Sequence, residues 1–152
     1  MRLHVVAVGR LKTGPHADLA RHYADRLKWP LSIREVEERR KLSPAELMER
    51  EGALLLSAVP PGALVVALDE EGTPLTSDDF AQRLQHWRSE GVGDVAFLIG
   101  GAEGLSAAVR EKARFRLSLG AMTWPHLLVR GMLFEQLYRA QQILAGHPYH
   151  RA

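Results

Sequence analysis

Short β-rich runs alternate with stretches of helical periodicity along the whole chain, and that alternation sets the fold class. Residues 3–8, LHVVAV, are almost unbroken in apolar character, the pattern of a strand covered on both faces of a sheet. Helical spacing follows over 15–28, and period-two alternation returns over 31–36. Ser43, Pro44 and Glu46 have the form of a capping box with proline at the first helical position, opening a helix to about residue 58. Pro60, Pro61 and Gly62 stop it. Residues 63–68, ALVVAL, predict a second buried strand that ends at Asp69 and leads into Glu70, Glu71 and Gly72. Thr76, Ser77, Asp78 and Asp79 then cap a helix to about residue 89. Residues 95–99 predict a strand, 105–113 a short helix and 115–119 a last strand. A long helix from His126 to about residue 145 closes the pattern, ended by Gly146 with Pro148 just beyond. The expected class is α/β, with a mainly parallel sheet of about five strands.

The long helix carries two apolar stripes, one of Val129, Leu133, Leu137, Ala140 and Leu144 and one of Leu127, Gly131, Phe134 and Tyr138. So wide an arc suits either a helix packed on two surfaces, its own sheet and a partner subunit, or a helix sunk in the core.

Length and composition then narrow the field. At 152 residues the chain has the size of one domain, with 147–152 left over as a tail. The absence of cysteine removes disulfide scaffolds, thiolate nucleophiles, Cys-ligated zinc and iron–sulfur clusters together. No apolar run approaches a membrane span and the first residues enter a strand pattern directly, so a cytoplasmic protein without a membrane partner is expected. The formal net charge of +2 hides a division. Residues 1–50 hold 11 basic against 7 acidic side chains, 51–109 hold 2 against 9, and 110–152 hold 7 against 2. Basic ends around an acidic middle suit a protein that meets a polyanion with chosen surfaces; scattered solvated charge is the plainer reading.

Ligands of open α/β sheets bind beyond the carboxyl ends of the strands. Three such ends are rich in candidates: Leu68 with Asp69, the run Gly100, Gly101, Ala102, Glu103 and Gly104, and the segment Gly120, Ala121, Met122, Thr123, Trp124, Pro125 and His126. Glycines there allow close backbone approach to a ligand, or make a plain turn. Neither this run nor Gly9 to Gly14 matches a dinucleotide fingerprint or a phosphate-binding P-loop, so nicotinamide and nucleoside-triphosphate cofactors are disfavoured. His147, Pro148, Tyr149, His150 and Arg151 bring imidazole, phenol and guanidinium groups together, chemistry that stacks on bases and contacts phosphates. Two histidines alone make a poor metal site, and none is expected. His126 and Arg130 stand one helical turn apart and could face one pocket. His4 reads as a satisfied core histidine, and Arg39, Arg40 and Lys41 as a solvated loop or a phosphate contact.

The strand and loop at 98–105 (LIGGAEGL), the segment 117–130 (LSLGAMTWPHLLVR), EQLYRA at 135–140, HPYHR at 147–151 and the opening LHVVAVGRLK together resemble the ribosomal RNA large subunit methyltransferase H family, of the knotted SPOUT class. The resemblance covers essentially the whole chain, and the order and spacing of the motifs are more specific than any one of them. It implies a five- or six-stranded, mainly parallel sheet with helices on both faces and a C-terminal trefoil knot, an exception to the rule against threaded chains. It also implies an S-adenosylmethionine-dependent homodimer that methylates N3 of a pseudouridine in a stem-loop of large-subunit rRNA on the assembled ribosome. Carried over by motif, Leu68, Gly101, Ala121, Met122, Thr123, Trp124, Pro125 and His126 would hold the cofactor. Arg130, His147 and Arg151 would serve the RNA, and Tyr149 and His150 would contribute to catalysis. A ribosome- or RNA-binding α/β protein without activity is the competing expectation. Ala102, where proline is common in the family, and Gly120 and Trp124 in the pocket loop depart from its usual pattern. Methyl transfer requires alignment and removal of a proton, so positioning and electrostatics are the expected means.

Overall fold

The structure, a computed structural model, describes residues 1–151, with side chains described through Tyr149. The expectations for His150 and Arg151 therefore fall on side chains outside the described residues. Ten main elements alternate: β1 (Arg2–Val8), α1 (Pro15–Ala24), β2 (Leu31–Val36), α2 (Pro44–Ser57), β3 (Leu64–Pro74), α3 (Ser77–Ser89), β4 (Asp94–Ile99), α4 (Ala107–Lys112), β5 (Phe115–Ser118) and α5 (His126–Leu144). A short 3-10 turn, Pro148–Arg151, follows. The five strands form one parallel sheet in the order β2-β1-β4-β3-β5. That order, with β5 beyond β3, is compatible with the knot implied by the resemblance.

Alternation along the central strands divides the core into two layers. Leu3, Val5 and Ala7 of β1 and Val95, Phe97 and Ile99 of β4 pack with Phe80 and Leu84 of α3 and Leu133, Phe134 and Leu137 of α5. On the other side Val6, Val8 and Leu98 pack with Leu55 of α2 and Val109 of α4. At the amino-terminal edge His4 lies 2.8 Å from both Ser32 Oγ and Asp94 Oδ1, a satisfied histidine as expected.

Three local departures have physical causes. α1 stops at Ala24 rather than near Lys28 because the Oε1 of Gln141 on α5 takes the N–H groups of Lys28 and Trp29, at 3.0 and 3.1 Å. β3 does not end at Leu68: residues 69–72 bulge outward, and Leu68 and Thr73 both stand opposite Leu117 of β5. The bulge needs Gly72, where a Cβ would come 2.5 Å from the Arg116 carbonyl oxygen. Both stripes of α5 are used within the chain, one in the sheet core and the other against α1, where a Cβ on Gly131 would meet Leu19 at 2.8 Å.

α2 also approaches the turn before α4 closely. Its capping box is formed by Ser43 and Glu46. At Gly52 a Cβ would fall 2.1 Å from the Oγ of Ser106, the buried residue that caps α4 by accepting from the Val109 N–H. This contact fixes the position of Glu51, the neighbouring residue on α2.

Candidate functional site

The loops after β3, β4 and β5 converge at the carboxyl edge of the sheet, and α5 begins there. They enclose a cavity of about 510 Å³, a size suited to a nucleoside-scale ligand. Its apolar wall includes Leu68, Ile99, Leu117, Leu119 and Val129, and the glycine loop supplies backbone on the facing side. Of the eight residues expected to hold a cofactor, Leu68, Gly101, Met122, Thr123, Trp124, Pro125 and His126 line this cavity. Ala121 is exposed on the same loop and stands apart from the lining.

Local hydrogen bonds set the shape of the loop between β5 and α5. Gly120, at φ +115°, occupies a region that favours glycine. Its N–H donates to the Ser118 Oγ at 3.1 Å, Thr123 donates to Glu70 at 3.0 Å, and the Trp124 indole N–H donates to the Leu119 carbonyl at 3.3 Å. The indole is thereby held as part of the wall. The glycine loop is closed by an isolated bridge between Gly101 and Gly104, so Ala102 occupies a tight turn without needing proline to hold it.

The acidic segment contributes carboxylates at the site. Asp69, Glu70 and Glu103 lie in or beside the loops that form it. Asp69 is buried and balanced by Arg116 and Arg110, at 3.1 and 3.3 Å. Thr123 holds Glu70.

His126 is half-buried on the cavity wall, with Nε2 about van der Waals distance from where Gly9 would carry a Cβ. Burial, reinforced by the positive charge of Arg130, holds its imidazole below the ordinary value and so favours the neutral ring.

Arg130 requires a correction. It does not turn toward the cavity or the surface; it is 3% exposed, bound to Glu35 and to the Gly9 carbonyl at 2.8 Å. Glu35 also accepts the Leu11 N–H at 2.7 Å. Burial pushes the Glu35 carboxyl up, but hydrogen bonds from Arg130 and Leu11, together with the charges of Arg130 and Arg10, hold it below its usual value. Arg130 thus ties β1, β2 and the start of α5 together and has no surface to offer RNA.

Tyr149, in the described part of the tail, also lies away from the cavity. Tyr149 packs edge-to-face on Tyr138 at 4.9 Å, donates to Glu135 at 3.3 Å and lies under the guanidinium of Arg139. Those partners stand about 13–20 Å along α5 from His126 at 1.5 Å per residue. Burial, a hydrogen bond with Tyr23 and the charge of Glu135 push the Tyr149 phenol up to about 12, so it is a donor at neutral pH. His147 is exposed, and its Nδ1 accepts the Tyr149 N–H at 3.2 Å. No group of three or more acidic or histidine side chains among the described residues is placed to hold a metal ion. No helix among them is long and apolar enough to cross a membrane.

Two features escape the sequence pattern. One is Glu51, a carboxylate on the buried face of α2 whose only signal is its place between Leu47 and Leu55 at helical spacing. The other is a groove along α5, bordered by α1, α3 and the ends of β3 and β5, about 540 Å³, which includes Leu19, Tyr23, Leu75 and Met132 and shares Leu117, Leu119 and Gly120 with the cavity.

Comparison with known proteins adds to this geometry. A family model described as "Predicted SPOUT methyltransferase" matches residues 1–150. The chain is 59% identical over 152 residues to ribosomal RNA large subunit methyltransferase H of Rhodospirillum centenum, covering all of both chains. It is 58% identical to the protein of the same name from Paramagnetospirillum magneticum, covering 99% of each. Among solved structures, the SpoU methyltransferase AviRb from Streptomyces viridochromogenes, in complex with AdoMet, shares the fold at a TM-score of 0.50 and 19% identity. The match covers 93% of this chain and 58% of that one.

Proposed function

Because this chain belongs to the SPOUT methyltransferase family and matches large-subunit rRNA methyltransferases over its full length, we propose that it uses S-adenosylmethionine to methylate N3 of a pseudouridine in a stem-loop of large-subunit rRNA. The proposed enzyme is a homodimer that acts on the assembled ribosome, in the cytoplasm. The observation that carries this reading is the convergence of three strand-end loops on one cavity beside unsubstituted backbone at Gly100 and Gly101. The donor set fits the cofactor: aliphatic side chains and an indole for an adenine, and glycine backbone for a ribose and amino-acid chain.

When bound, S-adenosylmethionine supplies an electrophilic methyl group on a sulfonium centre. The chain's own task is to bring the N3 atom into line with that methyl and to accommodate the proton that N3 loses. The laced loop from Leu119 to Pro125 fixes the wall against which the reacting groups are aligned. His126, on the cavity wall with its pKa held down, would offer a hydrogen bond to a bound ligand while its neutral form adds no positive charge to the site.

The dimer supplies what one chain lacks. With Tyr149 far along α5 from its own cavity, the tail His147, Tyr149, His150 and Arg151 serves the RNA at a second subunit's cavity. The groove along α5 is the face that receives that subunit, because it is mainly apolar and continuous with the cavity through Leu117, Leu119 and Gly120.

Cofactor binding is tested by titration calorimetry. The wild-type protein is expected to bind S-adenosylmethionine, and Gly101→Val to bind it at least about tenfold more weakly, a loss of about 1.4 kcal/mol. A Cβ at 101 meets Glu51 and Val8 at 3.0 Å, so the branched side chain displaces the loop. Equal binding by the two proteins would remove the glycine loop from the cofactor site.

A further inference from the structure

Glu51 is a buried carboxylate that the chain itself leaves unsatisfied. It is 7% exposed, and its Oε1 has no hydrogen-bond partner. No salt bridge among the described residues involves it, whereas the buried Asp69 is balanced by two arginines. Its place is built rather than incidental. Gly52 has no Cβ and so lets α2 close on Ser106, and Gly101 has none and so lets the carboxyl lie flat against the glycine loop. Its two oxygens stand 3.0 and 3.1 Å from where a Cβ of Gly101 would be. Burial pushes the carboxyl up and the neighbouring charge of Glu103 adds to the shift, so a cation seated there would favour the ionised form.

A buried carboxylate without a partner is costly, and one aimed at a ligand-binding loop can obtain its partner from the ligand. We infer that Glu51 is the counter-ion for the cationic amino-acid end of the ligand seated on the glycine loop, its carboxylate accepting a hydrogen bond from an α-ammonium group. This rests on the cofactor reading above, since S-adenosylmethionine carries such a group. The ligand's ammonium, seated over the glycine loop, brings its charge to the carboxylate behind Gly101 and balances the acidic environment that Glu51 and Glu103 create. The cost of the unpaired carboxylate in the free protein is recovered on binding, the pattern of a site preorganised at the expense of stability.

Three ligands separate this role from others in calorimetry on the full chain. S-Adenosylmethionine and S-adenosylhomocysteine both carry the ammonium; 5′-methylthioadenosine lacks the amino-acid end. Glu51→Gln is expected to weaken the first two by about ten- to a hundredfold, the size of a charge-assisted hydrogen bond, and to leave the third within about twofold. The free variant is expected to melt at or above the wild-type temperature, because an unpaired buried charge has been removed, and Glu51→Leu should show the same ligand pattern. Equal weakening of all three ligands, or none, would overturn the assignment while leaving the cofactor reading intact. Failure of the wild-type protein to bind any of them would overturn both.

Discussion

Replacing Arg130 by methionine lowers the free energy of unfolding by about 3–5 kcal/mol, the usual cost of removing one partner from a buried ion pair. The side chain is 3% exposed, and its loss strands the Glu35 carboxylate and the Gly9 carbonyl oxygen at the junction of β1, β2 and α5. Arg130→Lys recovers only part of the loss, because an ammonium cannot reproduce the planar fork that reaches both partners. The acid limb carries a sign. Glu35 is held below its unfolded value, so its contribution is present above about pH 4.3 and is lost as pH falls through the lowered folded value. In the methionine variant the half-buried carboxyl keeps only the Leu11 N–H and the charge of Arg10, so its folded value rises toward the unfolded one and the acid limb flattens. Urea titrations of both proteins between pH 3 and 7 check this. A variant that unfolds like the wild type but has lost affinity for RNA would restore Arg130 to the RNA surface.

Replacing Tyr149 by alanine is expected to reduce single-turnover methylation of large-subunit rRNA about 100-fold, the lower range for a positioned proton-transfer or aligning group. Affinity for S-adenosylmethionine should stay unchanged, because Tyr149 lies on Tyr138, Glu135 and Arg139 rather than at the cavity of its own chain. A mixing experiment separates the two subunits' contributions. Subunits carrying Tyr149→Ala, mixed with subunits carrying Gly101→Val and allowed to exchange, should regain a substantial part of the activity that each lacks alone. One subunit then offers an intact cavity and the other an intact tail. No recovery despite demonstrated exchange would place Tyr149 in the service of its own subunit's site.

The fold was largely legible because each element announces itself locally. The apolar runs at 63–68 and 95–99 leave no solvent face, and both strands lie inside the sheet. The caps at Ser43 and Thr76 begin helices where their hydroxyls suggest. Pattern failed where a distant partner decided the outcome. α1 ends early because Gln141, more than a hundred residues away, takes the next N–H groups, and β3 runs past Asp69 because Gly72 lets the bulge lie on β5.

The site was legible in the same uneven way. Loops rich in glycine at strand ends identify themselves, and seven of the eight residues expected there do surround one cavity. Arg130 misleads because spacing puts it one turn from His126 but cannot reveal that Glu35, on another strand, claims its charge. Glu51 is silent because a single acidic residue on a helix resembles every solvated one until burial is known.

Mass mapping of large-subunit rRNA from cells with and without this protein tests methyl transfer to one nucleotide of that RNA. Cells lacking the protein are expected to lose one methyl group, on a pseudouridine in a stem-loop, and to regain it when assembled ribosomes are incubated with the purified protein and S-adenosylmethionine. An unchanged modification map, with the protein still bound to ribosomes, would contradict it and favour an RNA-binding protein without catalytic activity.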